Sequence, residues 1–597
     1  MCRIAGILHA TSLPANLEKL VADMCEIQKH GGPDDGGLYS AKGAGLVLGN
    51  RRLALLDLSP EGHMPMSYRD RYHITYNGEL YNHISLREEL ISLGHRFSSH
   101  TDTEVILASF AQWGTQGFAK LKGMFAFALW DEQEQDLYIA RDPAGIKPLY
   151  YSLQDGILAF ASEARALALI PECIEAEPNW PVYMLAYGHL PEPVTTLKKV
   201  KPLAKGCFLK YEYKSGRNSL QSFTHYSYSK QLHDAAEVRK EIREALVSSV
   251  QRHLVADAPL GVFLSGGLDS SILAILASAF KKKDLNNLSI YFKEEGYSEK
   301  KYQDLVANKI GCQSHQYLLK EEEFHDSFPS ILNAMDMPSS DGINTWFISQ
   351  NAAKEGLKAV LSGLGGDELF GGYPSFSRVH PASLLQELPA PFISLGKRSR
   401  FKRLNRMSYL NLGGIKGIYL FLRGHYSPFE IARQLDMPEQ QVWKILSDHP
   451  VLPNVNVLEE SNQASWMEFN LYMQNQLLRD SDVMSMTHGV EIRVPFLDDD
   501  LVRLALRIAP TVKYRGEYPK QLLIDVFHDE LPEEIWKRPK MGFSFPFSGW
   551  LGNSSFVKDI MSQGNRNTQA SYQKFLKGQL HWSHLMSLVI MRNRGVS

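Results

Sequence analysis

Cysteine is scarce in this sequence, with five residues in 597, and no two of them form a C-x-x-C pair. Cys2, Cys25, Cys173, Cys207 and Cys312 are scattered along the chain and odd in number. That distribution argues against a disulfide framework and against a zinc site, and it is typical of a reducing compartment. We therefore expect a cytoplasmic protein.

The sequence also lacks a strong excess of charge of one sign, because its formal net charge is −2. Nothing in this balance favours nucleic acid or an anionic membrane as the main partner. No uninterrupted apolar run approaches the ~18 residues of a membrane span, and the N-terminus lacks the apolar segment of a signal peptide. We expect small-molecule substrates, no nucleic acid and no membrane.

The chain has no low-complexity tract. Its composition, 44% hydrophobic and 22% charged residues, is that of an ordinary globular protein. At 597 residues the chain is long for one hydrophobic core. Two domains, or three, are therefore expected.

An apolar run from Leu260 to Leu264 predicts a short buried strand, followed by a Gly/Ser turn and a helix over Ile272 to Phe280. Such a turn at a helix N-terminus makes an anion site, because backbone N–H groups, hydroxyls and the helix end all favour negative charge. The Lys-Ser/Thr pair that closes a Walker A loop is missing. The candidate phosphate-binding residues are Ser265, Gly266, Gly267, Ser270 and Ser271.

From about Ala236 onward, helices alternate with short apolar strands, which indicates a parallel α/β sheet. A second Gly-rich turn, Ser362 to Tyr373, follows a strand predicted over Leu357 to Leu361. In such a sheet, ligands bind where adjacent strands end and their connections diverge. Asp269 and Asp367, one in each turn, are then the natural ligands of Mg²⁺, which favours carboxylates together with phosphate oxygens.

The first turn, Ser-Gly-Gly-Leu-Asp-Ser-Ser, resembles the pyrophosphate loop of ATP pyrophosphatases, which split ATP into AMP and pyrophosphate to activate a carboxyl or carbonyl group. Together with the second turn and the segments 482–486 and 491–498, it resembles the synthetase domain of glutamine-hydrolysing asparagine synthetases. The resemblance implies ATP binding by Ser362 and an adenine pocket lined by Leu264, Ile290 and Gly363. Simple core packing is an equally good explanation of these last three residues.

A further segment, Arg538 to Phe543, resembles the part of that family that bears a catalytic lysine, here Lys540. A cation at this position would neutralise the charge that builds on the α-phosphate as pyrophosphate leaves.

The first third of the chain resembles the glutaminase domain of class II glutamine amidotransferases, which are N-terminal-nucleophile hydrolases. The matching segments, in order and spacing, are 30–34, 50–53, 76–82, 101–104, 123–131 and 141–150. Cys2 follows the initiator directly, and removal of Met1 would give it a free α-amine. An amine with an intrinsic pKa near ~7.7–8 can act as base for the thiol. A strand predicted over Arg3 to Leu8 would hold this residue inside the domain.

The resemblance implies that Cys2 attacks the side-chain amide of glutamine, with the Asn77 amide and the Gly78 N–H as the oxyanion hole. Arg52 would grip the carboxylate of glutamine and Asp102 its α-ammonium group. Glu79 joins Arg52, Asn77 and Asp102 in the glutamine-binding set. One departure concerns His30-Gly31-Gly32-Pro33-Asp34, where the family usually has arginine at position 31; Arg51 is a candidate to compensate.

Leu364 stands where family members that make asparagine typically have a glutamate, which is thought to assist attack by ammonia. Leucine can act neither as a base nor as a charge. Asp336, Asp341 and Asn344 lie where the acceptor should enter and could recruit a larger, hydroxylated or cationic molecule. Aspartate is the family default, but we favour another carboxylate, such as a sugar acid or a peptide-like natural-product precursor.

The resemblances predict a two-domain enzyme that forms C–N bonds with ATP, Mg²⁺ and glutamine, with ammonia passing between its sites. The fold expected is an N-terminal nucleophile hydrolase four-layer αββα sandwich over residues 1–213. A linker from Lys214 to His233 would lead to a Rossmann-like parallel α/β ATP-pyrophosphatase domain over 234–597, with helical elaborations over 374–461. By analogy with the family, a homodimer is also expected.

Two alternatives stay open at this point. A β-lactam synthetase-like cyclase would use an internal amine and would be expected to have a decayed glutaminase, whereas Cys2, Arg52, Asn77, Gly78 and Asp102 are all present. A catalytically silent member would be expected to have lost Asp269, Asp367 or Lys540, which are also present.

Overall fold

The computed structural model describes residues 2–9, 16–229, 231–281, 284–294, 296–394, 402–542 and 545–596. Met1, whose removal was considered above, and Phe543 of the lysine-bearing segment lie outside the described residues.

The described residues of the first part of the chain form two antiparallel sheets and five α-helices. Its strands are β1 (Arg3–His9), β2 (Asp35–Ala41), β3 (Leu46–Arg52), β4 (Met66–Tyr68), β5 (Tyr72–Leu80), β6 (Gly123–Asp131), β7 (Asp136–Arg141), β8 (Tyr150–Gln154), β9 (Ile157–Ala161), β10 (Lys201–Pro202), β11 (Cys207–Glu212) and β12 (Asn218–Ser222). Its helices are α1 (Leu17–Ile27), α2 (His83–Ser92), α3 (Asp102–Trp113), α4 (Ala164–Leu167) and α5 (Trp180–Tyr187).

The strand orders are β10-β8-β9-β1-β3-β2 in one sheet and β12-β11-β7-β6-β5-β4 in the other. Apolar side chains of β1 and β3, such as Ile4 and Leu48, share a buried cluster with Ala128 of β6 and Ile139 of β7. The helix α1 packs outside the first sheet, and α3 packs outside the second with α2 against it. This is the predicted four-layer αββα sandwich, and β1 holds Cys2 at its start, as expected.

The predicted linker over Lys214 to His233 is wrong in part. Asn218–Ser222 forms β12, an edge strand that pairs antiparallel with β11, so that Leu220 lies opposite Leu209. The polar composition misled the prediction because the side chains of an edge strand are largely exposed.

The second part of the chain is built on a parallel five-stranded sheet. Its strands are β13 (Leu260–Phe263), β14 (Asn286–Tyr291), β15 (Gln313–Leu318), β16 (Ala359–Leu361) and β17 (Glu491–Arg493), in the order β15-β14-β13-β16-β17. Its first helices are α6 (Ala235–His253), α7 (Leu268–Lys281), α8 (Lys300–Ile310), α9 (Glu321–Ala334), α10 (Ile343–Lys354) and α11 (Gly366–Phe370).

The remaining helices follow the second Gly-rich turn. They are α12 (Ser375–Gln386), α13 (Ala390–Ser394), α14 (Lys402–Arg406), α15 (Gly414–Arg423), α16 (Pro428–Gln434), α17 (Glu439–Asp448), α18 (Glu460–Met467), α19 (Arg479–Met486), α20 (Asp499–Arg507), α21 (Pro510–Lys513), α22 (Gln521–Phe527), α23 (Glu533–Trp536), α24 (Phe547–Asn553), α25 (Ser555–Ser562), α26 (Arg566–Leu576) and α27 (Trp582–Asn593). The expected helical elaboration is therefore present, and a π-helical stretch, Glu468–Leu478, joins α18 to α19.

Strand β13 lies between β14 and β16, so the strands that follow it in sequence are added first on one side of it and then on the other. The two Gly-rich turns leave the carboxyl ends of β13 and β16, which are adjacent strands, and this is where an open α/β sheet binds its ligand. The helix predicted from Ile272 in fact begins at Leu268, because the Ser271 N–H already donates to the Gly267 carbonyl at 3.0 Å. Asp269, Ser270 and Ser271 therefore belong to the first turn of α7.

Buried ion pairs join the two parts of the chain. Arg3 of β1 donates to Asp482 of α19 at 2.8 Å, and Arg493 of β17 lies 3.3 Å from Glu79 of β5. No helix in the described part of the chain is long and apolar enough to cross a membrane.

Candidate active sites

A small cavity of about 30 Å³ opens beside Cys2 in the first part of the chain. Its charged lining consists of one cation, Arg52, and two carboxylates, Glu79 and Asp102. One cationic and two anionic groups around a space of this size are complementary to the zwitterionic end of an amino acid. The other lining residues are Cys2, Leu53, Leu55, Leu56, Gly62, Met64, Tyr76, Gly78, Thr101 and Thr103.

Cys2 is buried, and its backbone nitrogen lies 3.2 Å from the side-chain oxygen of Asn77. Burial raises the pKa of the Cys2 thiol, while a hydrogen bond from the Leu53 backbone and the charge of Arg52 act against that rise. Gly78 comes close to the neighbouring strand β6, because a Cβ at this position would lie 2.2 Å from the Met124 carbonyl oxygen. Asn77 itself lies behind the lining, and its amide nitrogen is 3.5 Å from the Ser162 hydroxyl.

Arg52 ends β3, and its guanidinium is held by a loop that wraps around it. It donates to the carbonyls of Leu56 at 3.1 Å and Asp57 at 2.6 Å. Gly62 has to be small, since a Cβ there would lie 1.9 Å from Nη2 of Arg52. The guanidinium is thereby fixed at the edge of the cavity.

Asp102 begins α3, which Thr101 caps through its hydroxyl. The Asp102 carboxylate accepts hydrogen bonds from the Tyr76 hydroxyl at 2.9 Å and the Leu80 N–H at 2.8 Å. Burial raises the pKa of Asp102 in spite of these two donors. The carboxylate is fixed in orientation and would gain from a cationic partner.

Gly31, where the family usually has arginine, lies directly against another side chain. A Cβ at Gly31 would lie 2.8 Å from Cγ and Nε of Arg3, so the Arg3 side chain fills the space beside it. Arg51, the residue proposed to compensate, does not line the small cavity within the described residues; its side chain instead runs beside Gly36 of β2.

A larger cavity of about 340 Å³ lies at the carboxyl ends of β13 and β16. It is lined by Leu264, Ser265, Gly267, Asp269, Ser270, Ile290, Ser362, Gly363, Leu364, Asp367 and Lys540, all of which the sequence singled out. Gly266 and Ser271 shape the loop from behind: Gly266 has a φ of +82°, and the Ser271 hydroxyl donates to the Gly267 carbonyl at 2.7 Å.

The two turns touch each other through their glycines and aspartates. A Cβ at Gly366 would lie 2.6 Å from Cγ of Asp269, and one at Gly372 would lie 1.8 Å from Oδ1 of Asp367. Glycine at these positions therefore leaves room for both carboxylates at the carboxyl ends of β13 and β16.

Lys520, which the sequence analysis missed, lies between the two aspartates. Its Nζ is 2.6 Å from Asp269 Oδ2 and 2.7 Å from Asp367 Oδ1. Lys540 adds a second cation, with Nζ at 2.5 Å from Asp367 Oδ2. These two lysines hold the pKa of Asp367 at about 2, against the effect of burial.

Two observations bear on whether this pair of carboxylates could hold Mg²⁺. Oδ1 of Asp269 is buried and accepts no hydrogen bond from the described residues. No group of three or more His, Cys, Asp or Glu side chains in the described part of the chain could enclose a metal. Two carboxylates with one unused oxygen fit a Mg²⁺ ion that takes its remaining ligands from phosphate and water.

The wall beyond the two turns mixes apolar and neutral polar groups. Leu364 lines the cavity, as do Ile348, Asn344, Thr345 and Ser481. Glu368, four residues after Leu364, also lines the cavity, and it accepts a hydrogen bond from the Tyr373 hydroxyl at 2.7 Å.

Two of the predicted acceptor residues lie elsewhere. Asp336 accepts hydrogen bonds from the N–H groups of Ala164 and Arg165 at 2.8 and 2.9 Å, so it caps α4 across the domain boundary. Asp341 is not among the described residues that line the large cavity, and its carboxylate accepts from the N–H of Gly342 at 2.9 Å.

Comparison with known sequences agrees with both halves of this arrangement. The family described as Asparagine synthase matches residues 241–587, and the family described as Glutamine amidotransferase domain matches residues 1–224. The chain belongs to the asparagine synthase family.

Several curated proteins match the chain over nearly its whole length. Asparagine synthetase [glutamine-hydrolyzing] 1 of Bacillus subtilis is 31% identical, over 94% of this chain and 90% of its own length. Asparagine synthetase B [glutamine-hydrolyzing] of Escherichia coli is 26% identical, over 96% and 87%. Amidase chry2 of Gibberella zeae is also 26% identical, over 95% and 92%.

Membership of the asparagine synthase family confirms the predicted class: a glutamine-dependent ligase that forms C–N bonds, with a glutaminase-type domain and an ATP-pyrophosphatase-type domain. Lys520 was not predicted, because its only signal in the sequence is a Pro-Lys dipeptide before an apolar helix. Nor was the contact of Arg493 with Glu79, which joins residues that are far apart in the sequence.

Proposed function

We propose that the chain transfers the amide nitrogen of glutamine to a carboxylate other than free aspartate, which it first activates as its AMP ester. The observation that carries this proposal is Leu364, which places an isobutyl group in the lining of the ATP cavity where the family typically has a glutamate; Asn344 and Thr345 add neutral groups to the same lining. A wall of this kind suits an acceptor whose remainder is uncharged and hydroxylated or apolar, such as a sugar acid or a natural-product precursor.

In the small cavity, the Cys2 thiol attacks the side-chain amide carbon of glutamine and ammonia leaves. The Asn77 amide and the Gly78 N–H stabilise the oxyanion, fixed donors whose loss typically lowers the rate ~10²–10³-fold. Arg52 binds the α-carboxylate, and Asp102 and Glu79 bind the α-ammonium, in agreement with one cation and two anions around the cavity. Water then releases glutamate from the thioester.

In the large cavity, the carboxylate of the acceptor attacks the α-phosphate of ATP and pyrophosphate leaves. The Ser265–Ser271 turn holds the phosphates at the N-terminus of α7. Lys540 and Lys520 lie beside Asp367 at 2.5 and 2.7 Å and line the same cavity, where they are the cations that would balance the charge that develops on the leaving phosphates. Ammonia then displaces AMP from the mixed anhydride to give the amide.

Asp269 and Asp367 are the residues that would hold Mg²⁺. A bound Mg²⁺ ion supplies positive charge and a fixed geometry for the phosphate oxygens. The lysines that now neutralise these carboxylates would then face the phosphates.

The relatives carry more than one catalytic name, although most are named asparagine synthetases. One relative that covers 95% of this chain is named an amidase rather than an asparagine synthetase, so this two-domain organisation occurs under more than one catalytic name. The cyclase and silent alternatives find less support, because the lining of both cavities is intact.

The test is pyrophosphate release with ATP, Mg²⁺ and glutamine across a panel of carboxylates that includes aspartate, sugar acids and short peptides. We expect little release with aspartate and clear release with an acid whose remainder is uncharged. Asparagine formed from aspartate at the highest rate of the panel would overturn the proposed acceptor class and leave an ordinary asparagine synthetase.

A further inference from the structure

Arg493, at the end of β17 in the synthetase domain, reaches across the domain boundary into the glutaminase domain. It is fully buried, and its Nη1 donates to the carbonyls of His253 at 2.8 Å and Val255 at 2.6 Å. Its Nε donates to Glu491 at 2.6 Å. Its remaining terminal nitrogen, Nη2, lies 3.3 Å from Oε1 of Glu79.

Glu79 lines the glutamine cavity, and its carboxylate is buried. Burial raises the pKa of Glu79 well above its usual range, and the charge of Arg493 is the largest influence in the opposite direction. An ionised carboxylate is required to bind an ammonium group, because a neutral carboxylic acid offers no charge to pair with it. Arg493 therefore affects Glu79 both through its position, 3.3 Å from the carboxylate, and through its positive charge.

The guanidinium of Arg493 is also held in place more firmly than a surface arginine would be. Two backbone carbonyls and the Glu491 carboxylate accept hydrogen bonds from three of its N–H groups. Nη2 makes no hydrogen bond to the described residues and pairs with Glu79 through its charge, at 3.3 Å. The backbone carbonyl of Arg493 accepts the Ser362 N–H at 2.8 Å, and Ser362 lines the ATP cavity. One residue of the synthetase domain thus contacts a lining residue of each cavity.

We propose that Arg493 is a positioning residue of the glutamine site, which orients the Glu79 carboxylate toward the α-ammonium group of glutamine. This inference rests on the proposed function, in which Glu79 and Asp102 bind that group. It implies that the glutaminase site is completed by the synthetase domain and that the first domain alone lacks the guanidinium that pairs with Glu79 at 3.3 Å.

The experiment uses the full chain and two substrates: glutamine, and the monoamide of glutaric acid, which is glutamine without its α-amino group. In Arg493→Met we expect kcat/KM for glutamine to fall about tenfold or more, through KM rather than kcat. The value for the glutaric acid monoamide should change by less than about twofold, because it has no ammonium group to lose. The ratio of the two values does not depend on how much of a preparation is folded.

Lys358→Met is the matched control, since Lys358 also pairs across the domain boundary, with Asp34, but lines neither cavity within the described residues. It should keep the wild-type ratio. Arg493→Lys, which keeps the charge, serves if the methionine variant does not fold and should give an intermediate ratio. Glu79→Gln should lower the ratio as much as Arg493→Met, and the double variant should lower it no further.

An unchanged ratio in Arg493→Met or Arg493→Lys, with Glu79→Gln showing a loss, would overturn the inference alone. Equal losses for both substrates would mean that Arg493 acts only on folding, and would overturn it too. Absence of glutamine hydrolysis in the wild-type chain would overturn the proposed function and this inference with it.

Discussion

Leu364 is the single side chain that most affects which acceptor can bind. It follows Gly363, whose Cβ position would meet Asp269, and it precedes Gly365, which has a φ of +100°. The backbone is thus held in place on both sides, so the direction of the Leu364 side chain is set by the turn. A substitution here changes the chemistry of the wall and leaves its shape nearly unchanged.

We expect Leu364→Glu to lower pyrophosphate release with the acceptor that the wild-type chain uses by at least about tenfold, because it adds a second buried carboxylate beside Glu368. Leu364→Met, which conserves volume, should cost much less. Glutamine hydrolysis should be the same in both variants, since Leu364 is remote from the lining of the small cavity. Equal rates for the glutamate and methionine variants would contradict the assignment of Leu364 to the acceptor wall.

Asp480 is a second residue whose surroundings change its chemistry, in this case by raising its pKa. Its carboxylate is buried in α19 and accepts a hydrogen bond from the Ser339 hydroxyl at 2.5 Å. Burial raises the pKa of Asp480 to about 7; Asp341 adds to the rise and Arg479 opposes it. The folded chain therefore holds a proton that the unfolded chain, with an aspartate pKa near ~3.9, has already released.

Because the folded-state pKa is the higher one, this proton stabilises the fold at low pH, and the contribution is lost as pH rises from ~4 to about 7. Asp480→Asn cannot ionise and should escape that loss. Relative to wild type, its free energy of unfolding in urea should increase between pH 5 and pH 8, by on the order of 1–3 kcal/mol. Asp529→Asn, at an exposed position, should show no such trend.

At the scale of elements, the account depends on two turns that leave adjacent parallel strands. Each turn brings one aspartate to the same point, and glycines make the close approach sterically allowed. Gly372 is the tightest of these positions, because a Cβ would lie 1.8 Å from the Asp367 carboxylate.

Gly372→Ala should therefore displace Asp367 and lower pyrophosphate release by roughly 10²-fold or more, as expected when a group that positions the phosphates moves by about 1 Å. Glutamine hydrolysis should persist. Gly549→Ala in α24, where a Cβ meets nothing within 4 Å, is the matched control and should be neutral. Normal pyrophosphate release by the Gly372 variant would show that the second turn does not depend on this glycine.

The sequence was sufficient for the elements that local patterns specify. Strand β13, helix α6 and the two Gly-rich turns lie where hydrophobic pattern and turn residues predicted them, because each depends on contiguous residues. Edge strand β12 was missed because an exposed edge has little hydrophobic pattern. Lys520, Arg493 and the capping role of Asp336 were not predicted, since each joins residues more than 170 positions apart.

At the scale of the whole molecule, buried charges hold the two domains together. Arg3 pairs with Glu163 of its own domain at 3.0 Å and with Asp482 of the synthetase domain at 2.8 Å, and all three side chains are buried. Asp482 follows Ser481, a lining residue of the ATP cavity, and Arg3 follows Cys2. The boundary between the domains is thus also the space between the two sites.

Arg3→Met should lower the free energy of unfolding by about 3 kcal/mol, because it removes one cation from buried Glu163 and leaves buried Asp482 with only Lys147, at 3.5 Å. The pair between Lys358 and Asp34 also crosses the boundary but is partly exposed, so Lys358→Met should cost less than about 1 kcal/mol. Urea unfolding of the two variants beside wild type gives the comparison. Similar costs for both would contradict the view that the buried pairs dominate this interface.

The most direct measurement is of glutamate and pyrophosphate formed together, in wild type, Cys2→Ala and Cys173→Ala, with ATP, Mg²⁺, glutamine and the carboxylate panel. The account predicts equal amounts of both products in wild type and in Cys173→Ala, with the largest yield from a carboxylate other than aspartate. It predicts neither glutamate nor amide product from glutamine in Cys2→Ala, and amide formation there once ammonium is added. Amide formed from glutamine by Cys2→Ala, or the largest yield from aspartate, would contradict it.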